Sequence, residues 1–361
     1  MEQKTTKPAR SSNIELLRIL AILGVIILHY NNSSIGGGFA AVAGGSLNQN
    51  ILILLECAAI CAVNVFVMIS GFFMSGSDNR TLWKPIGLVT EVVVMNIAIY
   101  LANRAINKSF SFRDLFYAAI PENYFVVLFC VLYIVSPYIN LLLNSMSDKK
   151  LKVFLALLIL IFSVYQTFIS VAGTVLDKSL FGLSPVSNSG GQGGYTIVNF
   201  IMMYIVGACI RRFNVSPSLK KLLLALLLLV AALFVWAKLN ILRSLSIGKV
   251  VWAYNNPLVI ALAAVVFLIF KRIKLGNLRA VNFVAKASFT VFLTHAFFFR
   301  FINIPRYVKT SALTMTAHVF VSAILIYAAG VAIYFIYENT VGRMLDLLQK
   351  KLPIKDIWKI S

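Results

Sequence analysis

Charge is scarce in this sequence, and histidine is scarcer: 12% of the 361 residues are charged and three are His. No polar stretch between the apolar runs is long enough to fold alone, which excludes a separate soluble catalytic domain. The four cysteines, Cys57, Cys61, Cys130 and Cys209, all fall inside apolar runs. Without a further Cys or His nearby to complete a ligand set, they read as small buried residues, with neither disulfides nor a metal site expected. Acidic residues number 12 against 33 Lys and Arg. The resulting net charge of +21 would suit nucleic acid, but the basic residues are spread over short loops between apolar runs, so no nucleic-acid partner is expected. No small-residue cleavage site follows the polar start "MEQKTTKPARSSN", so a retained first helix is expected, not a cleaved signal.

What fills the chain is hydrocarbon. Hydrophobic residues make up 60% of it and the mean hydropathy is +0.87, values that place it among polytopic membrane proteins. Crossing a bilayer as a helix takes about 20 apolar residues, because each backbone N–H and C=O must be bonded within the segment. Ten such runs predict an all-α helical bundle: 14–32, 50–74, 83–102, 123–144, 151–172, 195–211, 219–237, 250–270, 281–300 and 315–338. Of the 33 basic residues, 23 fall on the side of the N-terminus, even-numbered loops and C-terminal tail, and 10 on the other. The positive-inside rule then makes both termini cytoplasmic, in the cell membrane. The expected organisation is a cytoplasmic tail (1–13), a transmembrane domain (14–340) and a basic cytoplasmic tail (341–361).

The first run, "IELLRILAILGVIILHY", keeps Glu15, Arg18 and His29 inside an otherwise apolar segment. Eleven helical steps bring Arg18 and His29 to nearly one face, about 16 Å apart along the axis. Glu15 lies three residues before Arg18, a spacing that allows an ion pair. Ionisable groups at mid-membrane cost about 2.5 kcal/mol or more, so they face a protein interior or a wet cavity. A guanidinium is a fork of donors suited to phosphate, and an imidazole takes protons near neutral pH. Together they suit transfer of an acyl group from a phosphorylated carrier to a hydroxyl.

On these residues the sequence resembles the membrane-bound acyltransferase type 3 family, whose first helix carries an acid, then Arg, then ten residues and His. Further similarities follow in order. "NVFVMISGFFMSG" resembles the family's signature at Ser70, Gly71, Phe72 and Phe73, and Arg80, Lys84 and Pro85 resemble the basic start of the next helix. "NYFVVLFCVLYIVSPYIN", beginning near Tyr124, "FIMMYIVGACIRRF" and "ASFTVFLTHAFFFR", with Ser288, Phe292, Leu293 and His295, complete the series. The resemblance implies a membrane O-acyltransferase that moves acetyl from acetyl-CoA to a hydroxyl of a surface polysaccharide or its lipid-linked precursor.

On that reading His29 is the general base, with Glu56, Ser70 and His295 as further catalytic candidates. Arg18, Arg80, Lys84, Arg211 and Arg212 are candidates for the carrier phosphates. Tyr30, Asn64 and Tyr124 are candidates for the acceptor, with Ser70 and Tyr30 also placed to steady an oxyanion. Direct transfer and an acetyl-histidine relay both fit. Glu91 is expected to make a buried structural hydrogen bond, with Glu56 or a cation of another helix as the alternative facing group, and His318 to sit at the outer interface. The glycine-rich stretches Ser33–Ser46 and Ser187–Gly194 are expected outer loops. A competing reading is a transporter of a sugar-linked lipid or small solute, with Arg18, His29, Glu56 and Glu91 lining its path; a non-catalytic scaffold is a third.

Overall fold

The computed structural model describes residues 11–77, 80–107, 111–178, 180, 182 and 192–352. These are helical with no strand, so the chain is an all-α bundle. The tails before residue 11 and after residue 352, and 187–191 of the second glycine-rich stretch, lie outside the described residues.

Each of the ten apolar runs is helical. We label α1 (Ser12–Asn31), α2 (Leu47–Ala59), α3 (Ala62–Met74), α4 (Trp83–Asn107), α5 (Tyr124–Asn144) and α6 (Asp148–Leu176) in the first half. The second half holds α7 (Ile197–Arg212), α8 (Leu219–Leu242), α9 (Pro257–Arg272), α10 (Arg279–Lys286), α11 (Ser288–Phe298) and α12 (Ala312–Tyr337). Among the described residues seven helical stretches are long and apolar enough to cross a membrane, or eight with α10 and α11 taken as one bent span. The remaining two runs form α7 and α9, of 16 residues each.

Polar residues set where the helices start. Side-chain oxygens of Ser46, Asn123, Ser147, Thr196, Ser218, Asn256 and Ser311 accept from backbone N–H groups of the first turns of α2, α5, α6, α7, α8, α9 and α12, satisfying donors that lack a helical partner. Pro257 at the first turn of α9 needs no donor and has its φ preset for the helix. The run 250–270 therefore begins with turns, and its helix starts only at Pro257. The run 50–74 is interrupted at Ile60–Cys61 between α2 and α3. The run 281–300 bends by 57° between α10 and α11. The last helix continues through a π turn, Glu338–Gly342, to Lys351, past the expected tail boundary at 340.

Glycine decides the centre. A Cβ on Gly71 of α3 would strike the backbone of Tyr204, and one on Gly207 of α7 would strike the Met68 carbonyl. The two helices thus cross backbone to backbone, as small residues permit where lipid supplies no hydrophobic drive for helix association. Gly24 of α1 faces Ala59 and Ala62 at 3.5 Å, seating α1 over the α2–α3 break. The core around these crossings includes Val67, Met68, Phe200, Tyr204 and Phe267, all nearly solvent-free. Helices α6 and α8 stand at the periphery and present Leu157, Leu160, Leu224, Leu227 and Leu228 outward, as expected of a surface solvated by lipid.

Candidate active site: a histidine pair above a basic rim

Arg18 and His29 are both half-buried on α1. Arg18 Nη1 donates to Glu15 Oε1 across 3.1 Å, an ion pair within one helical turn. His29 meets α11. Its Nδ1 lies 2.5 Å from Nε2 of His295, and the two rings lie 19° from parallel. His295 is almost wholly buried, and its Nδ1 is 2.6 Å from the Phe292 carbonyl.

That carbonyl fixes the proton positions. It can only accept, so His295 carries its proton on Nδ1 and donates it to Phe292. A neutral His295 is then bare at Nε2, so His29 donates from Nδ1 into it, and the His29 lone pair is left on Nε2. The chain of two bonds resembles the orienting partner behind a catalytic histidine, with a second imidazole in place of a carboxylate.

The other candidates on α1 and α2 point elsewhere. The Tyr30 hydroxyl bonds His318 Nδ1 at 2.8 Å, and His318 stacks on Tyr307 with centroids 3.7 Å apart. His318 is therefore held within a protein contact. Asn31 donates to Glu56 Oε2 at 2.8 Å and to the Leu52 carbonyl at 3.2 Å. Asn64 donates to the Tyr254 carbonyl at 2.7 Å, and Ser70 to the Phe66 carbonyl at 3.1 Å. Tyr124 packs against Tyr195. Glu91 accepts a hydrogen bond from Thr290 of α11 at 2.5 Å, in keeping with the buried structural hydrogen bond expected of it, and neither Glu56 nor a cation of another helix is its hydrogen-bond partner there. A hydroxyl can donate to a carboxylate from a neighbouring helix, a pairing that sequence spacing does not reveal.

Helices α3, α5, α7 and α9 end together on the side of α1's start, where Asn13 donates to the Phe270 carbonyl of α9. Arg80, 4% exposed, is built into this end: it donates to the Met74 and Ser77 carbonyls at 2.8 and 2.7 Å and to Ser136 Oγ at 2.9 Å. These bonds satisfy carbonyls at and just beyond the end of α3. Arg212 similarly donates to the Leu143 and Met146 carbonyls, both at 2.7 Å, and to Asp148. Arg211 is exposed and reaches the Phe72 and Phe73 carbonyls. Lys84 is exposed at the start of α4. Arg211 and Arg212 line a cleft with Ser75, Asn140 and Asn144, and Lys271 lies 5.7 Å above the Phe72 ring. Among the described residues no group of three or more His, Cys, Asp or Glu could hold a metal ion.

Two buried amides at the end away from the basic residues, Asn31 and Asn199, were not among the candidates read from the sequence. A polar amide inside an apolar run, as in "LHYNN" and "TIVNF", is the signal that marks them.

A helical bundle with lipid-facing flanks, an internal imidazole pair and basic residues gathered at one end defines an integral membrane protein with an enzyme-like site. Residues 11–337 match the family model described as an acyltransferase domain. The chain belongs to the membrane acyltransferase type 3 family, and is an acyltransferase of that family. Neither the comparison with curated proteins nor that with solved structures finds a match.

Proposed function

We propose that this acyltransferase moves an acetyl group from cytosolic acetyl-CoA to a hydroxyl of a surface saccharide or its lipid-linked precursor, in the cell membrane, with both termini cytoplasmic. The histidine pair carries the reading, because it leaves one oriented lone pair inside an apolar bundle. His29 Nε2 takes the proton of the acceptor hydroxyl as that oxygen attacks the thioester carbon. The C–S bond breaks, and the CoA thiolate takes the proton back from the His29 imidazolium to leave as a thiol. His295 acts as a positioning residue: it holds the His29 tautomer and accepts a stronger bond once His29 is charged.

Arg18 and Arg211, with Lys84, are assigned to the carrier phosphates. Arg80 and Arg212 support that rim by holding the helix ends. An acetyl-histidine relay uses the same nitrogen as nucleophile, and a burst of thiol release in single-turnover kinetics distinguishes it.

The test is acceptor-dependent thiol release from acetyl-CoA by purified protein. His29→Ala is expected to slow it by about 10²–10⁴-fold, the usual contribution of a general base. Unchanged turnover in a folded His29→Ala protein refutes the assignment. A solute carrier would show neither thiol release nor thermal stabilisation by CoA.

A further inference from the structure

The last helix runs on past the body of the bundle. Beyond the π turn it continues as α13 (Arg343–Lys351), and no residue of α13 is buried. The Tyr30–His318 bond sets the start of α12 beside the end of α1, so α13 falls on the side of the basic rim. With 26 residues, α12 alone measures about 39 Å, against about 30 Å of hydrocarbon. The segment α13 therefore begins at or past the edge of the acyl chains.

Two contacts with α4 give its direction. Glu338, at the head of the π turn, is within electrostatic reach of Glu91. The Leu352 carbonyl, just past α13, accepts from Trp83 Nε1 at 3.2 Å. Between these two points α4 rises about 12 Å, whereas the chain from Glu338 to Leu352 covers about 21 Å at helical rise. A segment with almost twice the path between the same two contacts runs obliquely along the edge of the bundle and does not project straight into water.

Its side chains sort by face. At 100° per residue, Met344, Leu347 and Leu348 share an arc of about 100°, and they are 53%, 57% and 38% exposed. Lys351 falls inside that arc at the last turn, and Arg343 and Lys350 lie just beyond Leu347; all three are exposed. Asp346, the acid of this helix, stands on the opposite face. Half-buried Leu345 lies on the flank away from Arg343 and Lys350. An apolar stripe edged by cations, slanting along a hydrocarbon boundary, is the arrangement of a helix that rests in a membrane interface. Long basic side chains reach from such a stripe to the head groups.

We propose that α13 docks on the leaflet at the basic rim and binds anionic phospholipid, with Met344, Leu347 and Leu348 among the upper acyl chains and Arg343, Lys350 and Lys351 on the lipid phosphates. Three cations on the lipid side against one acid on the far side give the charge match. The inference does not depend on the acetyl transfer proposed above.

The test is hydrogen exchange of the full-length protein, one copy per nanodisc, in phosphatidylcholine alone and in phosphatidylcholine mixed with phosphatidylglycerol of the same acyl chains. Amides of residues 344–351 are expected to exchange at least about fivefold more slowly with the anionic lipid, the worth of a single basic residue at a charged surface. The slowing should fade in 1 M salt, where the screening length drops to about 3 Å. It should be lost in Arg343→Gln/Lys350→Gln/Lys351→Gln, and kept in Lys220→Gln/Lys221→Gln, which removes two exposed cations from the start of α8. Thermal unfolding confirms that each variant is folded, and the lipid and salt comparisons on wild type need no variant.

Equal exchange in the two lipids overturns the proposal, as does a triple variant that keeps the full effect. Protection in neutral lipid that appears only with two copies per nanodisc would assign the face to a second copy, and protection by CoA in neutral lipid would give the cations to the carrier. Either result also overturns it.

Discussion

Removing the His295 imidazole tests whether the buried pair is machinery or packing. In His295→Ala the N–H on His29 Nδ1 loses its acceptor, and nothing then prevents the proton from moving to Nε2, the position that must be bare to act as base. In the transition state that bond is charge-assisted, a class worth about 1.5–3 kcal/mol. At 1.36 kcal/mol per factor of ten, kcat should fall roughly 10- to 150-fold, while KM for acetyl-CoA holds because the basic rim is untouched. His295→Gln offers an amide oxygen in place of Nε2 and should recover part of the loss, and the two variants should differ in the pH profile of kcat. The assay is thiol release with saturating acetyl-CoA, alongside thermal unfolding. If His295→Ala keeps wild-type kcat, or if the loss appears only in KM, the orienting role is wrong. If His295→Ala is inactive while His29→Ala retains turnover, the base and its partner have been exchanged.

Three further outcomes follow from the same geometry. Gly71→Leu should destabilise the folded protein by about 1–3 kcal/mol, the usual cost of overpacking, because the obstructing atoms are Tyr204 backbone; Gly44→Ala, with no atom near its added Cβ, should leave the melting temperature unchanged, and equal melting of the two would deny the close crossing. Arg80→Met should lower thermal stability with little change in KM for acetyl-CoA, since its donors are engaged at the end of α3; a rise in KM without loss of stability would return it to the phosphates. Arg18→Gln should raise KM for acetyl-CoA about ten- to hundredfold, the worth of one charge-assisted contact, and an unchanged KM would remove Arg18 from the donor site.

Much of the fold was legible in the sequence because hydropathy reports length and burial together. The Glu15–Arg18 pair was legible for a different reason: it is local, and i,i+3 spacing on a helix determines contact. His29 and His295 are 266 residues apart, and no periodicity reports which helix faces which. The bend between α10 and α11 escaped for the same reason. Hydropathy averages over a window, whereas a 57° change of direction is made by one or two residues of backbone. Arg80 shows a further limit. Its type and position suit a phosphate, and only coordinates reveal that the end of α3 has engaged its donors.

The helices at the heart of the bundle are also among its shortest. At 16 residues each, α7 and α9 reach about 24 Å, less than the roughly 30 Å of hydrocarbon that a lipid-facing rod must match. Other stretches are longer, 28 residues from Leu47 to Met74 and 24 in α8. A rod as short as α7 or α9, set alone against lipid, would force the bilayer to thin around it, so its place is inside the bundle, screened from the acyl chains by longer helices.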